Sequence, residues 1–407
     1  MKLRLSEDYV IDTDDYCKEG LRIAVLAMSG HGKSNAAADV VEDILDQKGQ
    51  VIVLEPITEW HTLTARYDNV VAVGMLAPFS YASFQPKHSL NFNIDNTNVV
   101  RLLQNQQSVI RTGGVKLIQI DGKYNVWTKK IGNSATKMLT LHGGPGFTHE
   151  YFECFEDFLP QEGIEFYYYD QLGSTYSDQP KDKSLWVVDR FRDEVEQVRA
   201  ALGLDDFYLY GQSWGGMLGI EYALKHQHHL KALIISNMTA SIGSYVKHIN
   251  ELRQKFPPEI RQILEKYEDR EEYNAPEYQD VMFKHLYAKH ICRLDPWPEP
   301  LMRGFKHLNT EVYNTMQGPN EFVVTGTFKD WNRWNDLQNI RVPTLLIVGR
   351  YDTMSIEDIQ KMGELIPNSR VVVCENGSHV CMYDDQEAYF RELLKFIKDV
   401  ETDRFSK

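Results

Sequence analysis

The pentapeptide Gly211-Gln212-Ser213-Trp214-Gly215 sets a serine between small residues, just after the apolar run 207–210 and just before a helix-like stretch. A strand, a sharp turn and a helix in that order are the setting of a nucleophile elbow. The turn strains the serine backbone, and side chains at Gly211 and Gly215 would collide with neighbouring main chain. A serine held there stands at a helix N-terminus, whose free N–H groups and dipole favour developing negative charge. The plainer alternative is a glycine-rich turn in which Ser213 only caps a helix.

A serine nucleophile needs a general base, and the base needs an acid to orient it, in the chain order Ser, Asp, His for this kind of sheet. Asp352 follows the apolar run 344–348 in Gly349-Arg350-Tyr351-Asp352, and His379 follows the run 370–374 in Asn376-Gly377-Ser378-His379. Both therefore fall at strand C-terminal ends, where open α/β sheets place their sites. With 13 histidines in the chain, His142, His290 and His307 compete for the role of base. Only His379 combines a late position, a strand-end loop and a preceding acid. His142-Gly143-Gly144-Pro145-Gly146 follows the run 137–141 and is expected to be the oxyanion loop, with amides of Gly143, Gly144 and Trp214 as donors. A plain tight turn is the alternative. Acyl transfer by such a set needs no metal and no organic cofactor.

These residues need a scaffold. Runs 137–141, 164–169, 207–210, 230–236, 344–348 and 370–374 are short, apolar and rich in β-branched or aromatic residues, which predicts buried strands. Amphipathic stretches at 190–202, 216–225, 356–366 and 386–400 alternate with them and predict helices. The alternation implies an α/β fold with a parallel sheet covered on both faces. Runs 115–120 and 124–129 flank Asp121-Gly122, a two-residue hairpin signal. Residues 238–330 break the rhythm with helical, charged and aromatic sequence, which predicts a cap inserted over the sheet's C-terminal edge. A boundary is expected near residue 110, after the Asn- and Gln-rich stretch 91–107, giving a segment 1–110 and a domain 111–407.

The bulk composition bounds the function. A formal charge of -14 and a pI near 5.4 oppose binding to nucleic acid or anionic lipid, which need a positive field. No apolar run approaches the roughly 18 residues of a membrane span. The charged stretch 2–15 lacks a secretory apolar region. Five scattered cysteines, Cys17, Cys154, Cys292, Cys374 and Cys381, read as reduced thiols of a cytoplasmic protein. Oligomeric state is not legible.

The strings HGGPG (142–146) and GQSWGG (211–216), with Asp170-Gln171 followed by Gly173 and Ser177, resemble the proline iminopeptidases among α/β hydrolases. The likeness runs from about Gly113 to the C-terminus. Gly318-Pro319-Asn320-Glu321-Phe322 and Asp295-Pro296-Trp297-Pro298 are similar to the tricorn-interacting aminopeptidase branch. This resemblance implies an α/β-hydrolase fold with a mainly helical cap, and a serine aminopeptidase releasing proline or other small or apolar residues from short peptides with a free N-terminus. It implies that Glu321 binds the substrate's α-amino group; a solvated surface glutamate is the alternative. In that branch a second acid follows the triad aspartate, where this chain has Thr353. Residues 172–177, Leu-Gly-Ser-Thr-Tyr-Ser, also depart from relatives that carry an arginine and a glycine there. An esterase of other specificity is the rival within the fold.

The first hundred residues carry a different signal. Ala27-Met28-Ser29-Gly30-His31-Gly32-Lys33-Ser34 follows a strand-like run and precedes a helix-like one, as a phosphate-binding loop does. Lys33 would reach phosphates and Ser34 a magnesium ion, with the amides of Gly30 and Gly32 in the cradle. With Glu55-Pro56 and Thr58-Glu59-Trp60, residues 15–75 resemble the start of HerA-type ATPases. The segment is too short for a full P-loop domain, so it is expected to be a partial P-loop-like α/β segment, either nucleotide-binding or vestigial. A nucleotide-binding protein with a passenger hydrolase is therefore the reading from another class.

Overall fold

The computed structural model describes residues 112–405 and the backbone of four short strands nearer the N-terminus, and the chain forms two compact units, Met1–Leu103 and Gln104–Lys407. In the first unit Lys2–Arg4 pairs antiparallel with Val10–Asp12, and Val51–Glu55 pairs parallel with Val70–Gly74. Gly30, Gly32, Lys33 and Ser34, Cys17 and the boundary near residue 110 lie outside the described residues.

The second unit is built on eight strands: β1 (Val115–Ile120), β2 (Tyr124–Ile131), β3 (Thr136–Leu141), β4 (Ile164–Asp170), β5 (Phe207–Gln212), β6 (Leu230–Ser236), β7 (Thr344–Gly349) and β8 (Ser369–Cys374). Across the sheet they run β1-β2-β4-β3-β5-β6-β7-β8. All neighbours from β4 to β8 are parallel, and only the β1–β2 and β2–β4 pairs are antiparallel. The run of apolar residues in β4, β5 and β7 has its reason here, because every residue of these strands is buried. Alternate residues serve opposite cores. Leu139, Leu209, Leu233 and Leu346 pack on one face, while Met138, Tyr208, Ile234 and Ile347 pack on the other.

The hairpin differs from the expected two-residue loop. Ile120 pairs with Tyr124, leaving Asp121, Gly122 and Lys123 in the turn. Asp121 and Gly122 do adopt left-handed backbone (φ 52° and 62°), and Lys123 N donates to Ile120 O at 3.0 Å. Asp-Gly therefore makes the tight turn its chemistry favours, and Lys123 is one residue more than the minimum.

Helices α1 (Val188–Leu202) and α2 (Trp214–His226) cover one face of the sheet. The first ten residues of α2, Trp214 to Ala223, are all buried, which explains its lack of a polar stripe. Between β6 and β7 lies the cap: α3 (Ile242–Gln254), α4 (Pro258–Glu268), α5 (Pro276–Met282), a π-helical continuation Phe283–Ile291, α6 (Glu299–Lys306) and α7 (Thr310–Met316). Three of these helices, α4, α5 and α6, carry proline in the first turn, where its missing N–H costs no hydrogen bond. Arg303 of α6 forks onto Glu153 at 2.9 and 2.7 Å, and Arg333, on the return to β7, pairs with buried Glu221 of α2 at 2.6 Å. The chain closes with α8 (Ile356–Leu365), α9 (Cys381–Asp384) and α10 (Gln386–Glu401). Among the described residues no helix is long and apolar enough to cross a membrane.

Candidate active site

Ser213 joins β5 to α2 with φ 55° and ψ -127°, a conformation that L-residues adopt only under constraint. The constraint is steric. A Cβ at Gly211 would lie 2.0 Å from Gly215 O, and one at Gly215 would lie 2.0 Å from Leu141 O, so the turn closes only with glycine at both. The Ser213 side chain makes no capping hydrogen bond, which removes the plain helix-cap alternative. Its carbonyl accepts from Gly216 N at 2.7 Å and Met217 N at 3.2 Å, starting α2.

Asp352, just beyond β7, and His379, beyond β8, meet at 2.7 Å between Oδ1 and Nδ1. A carboxylate at Nδ1 makes that nitrogen the N–H donor and leaves Nε2 as the basic atom. Asn237, with φ 55° at the end of β6, donates from Nδ2 to Asp352 Oδ2 at 2.7 Å, and the Thr353 hydroxyl donates to Oδ1 at 3.2 Å. The acid is thus held on both oxygens, and Thr353 serves the aspartate. Burial of the His379 ring lowers its pKa, but the charge and hydrogen bond of Asp352, with charges of Glu321 and Asp384, outweigh it and raise the pKa above 6.5. Ser213 and His379 line one cavity of about 470 Å³, and neither the Ser213 hydroxyl nor His379 Nε2 has a hydrogen-bond partner among the described residues. Catalytic hydrogen bonds are often long before substrate arrives.

The three rival histidines are otherwise engaged. Buried His142 donates from Nδ1 to Gly143 O at 2.9 Å and accepts at Nε2 from Gln171 N at 3.0 Å, so its basic atom is occupied. His290 sits 2.8 Å from Tyr351 O through Nδ1, and His307 pairs with Glu150.

The glycine loop after β3 abuts the serine. A Cβ at Gly143 would come within 3.2 Å of Ser213 Cβ. Of the three amides expected as oxyanion donors, that of Gly143 is already committed, donating to the Tyr151 hydroxyl at 2.7 Å. The expectation narrows to Gly144 and Trp214, whose amides have no acceptor among the described residues. The Trp214 indole donates to Gln171 Oε1 at 2.7 Å, and Gln171 Nε2 donates to His142 O at 3.0 Å, so this side chain braces elbow and loop together.

Glu321 is half-buried and faces the same cavity. Its carboxylate accepts from the Tyr245 hydroxyl at 2.5 Å and the Tyr313 hydroxyl at 2.6 Å, which replaces the solvated-surface alternative with a held charge. Phe147, Leu301 and Phe305 supply an apolar wall. Asn237 and Tyr151 stand in none of the motifs, and the bracing contacts of Gln171 and Gln212 are not legible in the strings that contain them, because the groups that Asn237, Gln171 and Gln212 hold are remote in the chain. Among the described residues no group of His, Cys, Asp and Glu side chains is arranged to hold a metal ion.

Residues 137–386 match the alpha/beta hydrolase fold family, and residues 7–126 match the central domain of helicase HerA. Over 290 residues the chain is 48% identical to the proline iminopeptidase of Elizabethkingia meningoseptica, covering 70% of this chain and 97% of that one. Proline iminopeptidase of Mycobacterium smegmatis superposes with a TM-score of 0.66 at 30% identity, covering 71% of this chain and 99% of that one. VinJ superposes with a TM-score of 0.68 at 33% identity, covering 70% and 98%.

Proposed function

This chain belongs to the proline iminopeptidase family of α/β hydrolases, and from that membership we propose that it removes proline, or another small or apolar residue, from the N-terminus of short peptides. His379 Nε2 takes the Ser213 proton as the oxygen attacks the first carbonyl of the substrate. Negative charge on that carbonyl oxygen falls to the amides of Gly144 and Trp214. His379, now protonated and steadied by Asp352, gives its proton to the departing amine. Water deprotonated by the same ring then releases the aminoacyl group from Ser213.

What supports this reading above other hydrolase chemistry is that Ser213, His379 and Glu321 line one cavity. A held carboxylate beside the nucleophile suits a protonated α-amine, and a blocked amine would leave the acid uncompensated. Free, buried Cys154, Cys292, Cys374 and Cys381 suit work in the reducing cytoplasm. The deciding experiment is hydrolysis of L-prolyl-β-naphthylamide. Activity is expected in the intact enzyme, with loss of about 10³-fold or more in Ser213→Ala and none on the N-acetylated substrate. Equal rates on free and acetylated substrates would replace the aminopeptidase with an esterase or amidase of other specificity.

A further inference from the structure

We propose that Tyr151 and Gln212 are positioning residues for this reaction: their side chains form a buried strut that fixes the oxyanion loop, the elbow and the His379 loop in one frame, and so governs kcat rather than substrate affinity. The proposal rests on the peptidase reading above.

The strut runs through three hydrogen bonds. Gly143 N donates to Tyr151 Oη at 2.7 Å, Tyr151 Oη donates to Gln212 Oε1 at 2.9 Å, and Gln212 Nε2 donates to His379 O at 2.8 Å. Every proton in this chain has one possible direction. A carbonyl oxygen can only accept, so Gln212 must turn its NH₂ toward His379 and its Oε1 toward Tyr151. The phenol then donates its single proton to Oε1 and receives Gly143 N–H on a lone pair. Reversing the amide would set two acceptors against each other at His379. Burial pushes the Tyr151 pKa well above its ordinary 10, so the phenol remains a donor throughout the working pH range.

Position gives the strut its consequence. Gln212 precedes the nucleophile, Gly143 precedes the free amide of Gly144, and His379 carries the base. A Cβ at Gly143 would lie 3.1 Å from Gln212 Oε1 and 3.2 Å from both Tyr151 Oη and Ser213 Cβ, so loop, strut and nucleophile are in direct packing contact. Gln171 braces the far side of the same loop through His142. An oxyanion donor acts only within a narrow distance of where charge develops, so releasing one side of this bracket weakens the transition state more than the ground state.

The test compares Tyr151→Phe, Gln212→Met and the double variant on L-prolyl-β-naphthylamide. It adds inhibition by pyrrolidine-2-boronic acid, which forms a tetrahedral adduct with the serine, and by proline, the ground-state product. Each single variant is expected to lower kcat about 10- to 100-fold while KM and inhibition by proline stay within about twofold. Boronate affinity should fall in step with kcat/KM. The double variant should be no slower than the worse single, because both break one chain. Full kcat in folded variants, a change confined to KM, or effects that multiply would overturn the proposal. If Tyr151→Phe fails to fold by near-UV circular dichroism, Gln212→Met decides by the same readouts. An inactive intact enzyme on the prolyl substrate would sink the peptidase reading instead; the strut is then judged by the same kcat comparison on Ser213-dependent hydrolysis of p-nitrophenyl acetate.

Discussion

The charge on His379 gates the proposed chemistry, because only the neutral ring can accept the Ser213 proton. Its pKa is pulled down by burial and pushed up further by Asp352, Glu321 and Asp384, ending above 6.5. As pH falls through that raised value the base is lost, so the acid limb of kcat/KM is expected above pH 6.5. The alkaline side belongs to the substrate, whose α-amino group loses its proton near pH 8 and with it the attraction to Glu321. Glu321→Gln removes one of the charges that raise the histidine, so its acid limb should move to lower pH. The same variant strands the substrate ammonium and should cost about 2 kcal/mol in kcat/KM at neutral pH. Profiles of kcat/KM for both enzymes on L-prolyl-β-naphthylamide check the two effects separately; an unmoved acid limb would show that Glu321 does not act on His379. Residues such as Ser213 and His379 were legible because their chemistry is written into short local strings beside strand ends. Asn237 was not, since its partner Asp352 is 115 residues away and nothing local announces the pairing.

Helix α2 shows how one element holds the elbow, and its glycines give opposite expectations one turn apart. Gly215 sits under β3, where a Cβ would meet Leu141 O at 2.0 Å, and backbone cannot yield as a side chain can. Gly215→Ala should therefore destabilise by about 3 kcal/mol or more and abolish activity with the elbow geometry. Gly219 has its nearest neighbour, Leu233 Cδ1, at 3.4 Å, an ordinary contact. Gly219→Ala should be neutral or stabilising by up to about 1 kcal/mol, since alanine restricts the unfolded chain and favours helix. Urea denaturation of both variants against the parent measures the contrast, and comparable destabilisation by the two would refute the steric account. The pattern of β4, β5 and β7 was readable because strands buried on both faces demand continuous apolar runs. The hairpin turn was read one residue short, because Asp121-Gly122 fixes the turn type while cross-strand pairing of Ile120 with Tyr124 fixes its length. Cap helices were readable only as a class, since proline-started helices of 7 to 11 residues such as α4, α5 and α6 give few turns for a period to show.

At the scale of the whole chain, the residues given a part in the proposed reaction all belong to the hydrolase unit. Both core clusters, the cavity and every residue assigned a role fall within residues 112–405. The Elizabethkingia and Mycobacterium relatives are covered over 97% and 99% of their own lengths by about 70% of this chain, so the catalytic fold they share does not include the N-terminal unit. A domain with its own core folds alone. A protein comprising residues 104–407 is therefore expected to unfold cooperatively and to hydrolyse L-prolyl-β-naphthylamide with kcat/KM within about threefold of the full chain. The match of residues 7–126 to the HerA central domain runs through β1 and its turn into the first three residues of β2, whereas a cut at 104 leaves the whole hairpin with the hydrolase unit. Lys33→Ala in the full chain tests the nucleotide-binding reading separately from the peptidase reading. If the phosphate-loop string binds nucleotide, that substitution removes ATP binding while leaving prolyl hydrolysis unchanged, because the peptidase chemistry requires no phosphate. Loss of hydrolysis in both the truncated protein and the lysine variant, with the sheet intact by circular dichroism, would instead show that the N-terminal unit takes part in the peptidase reaction.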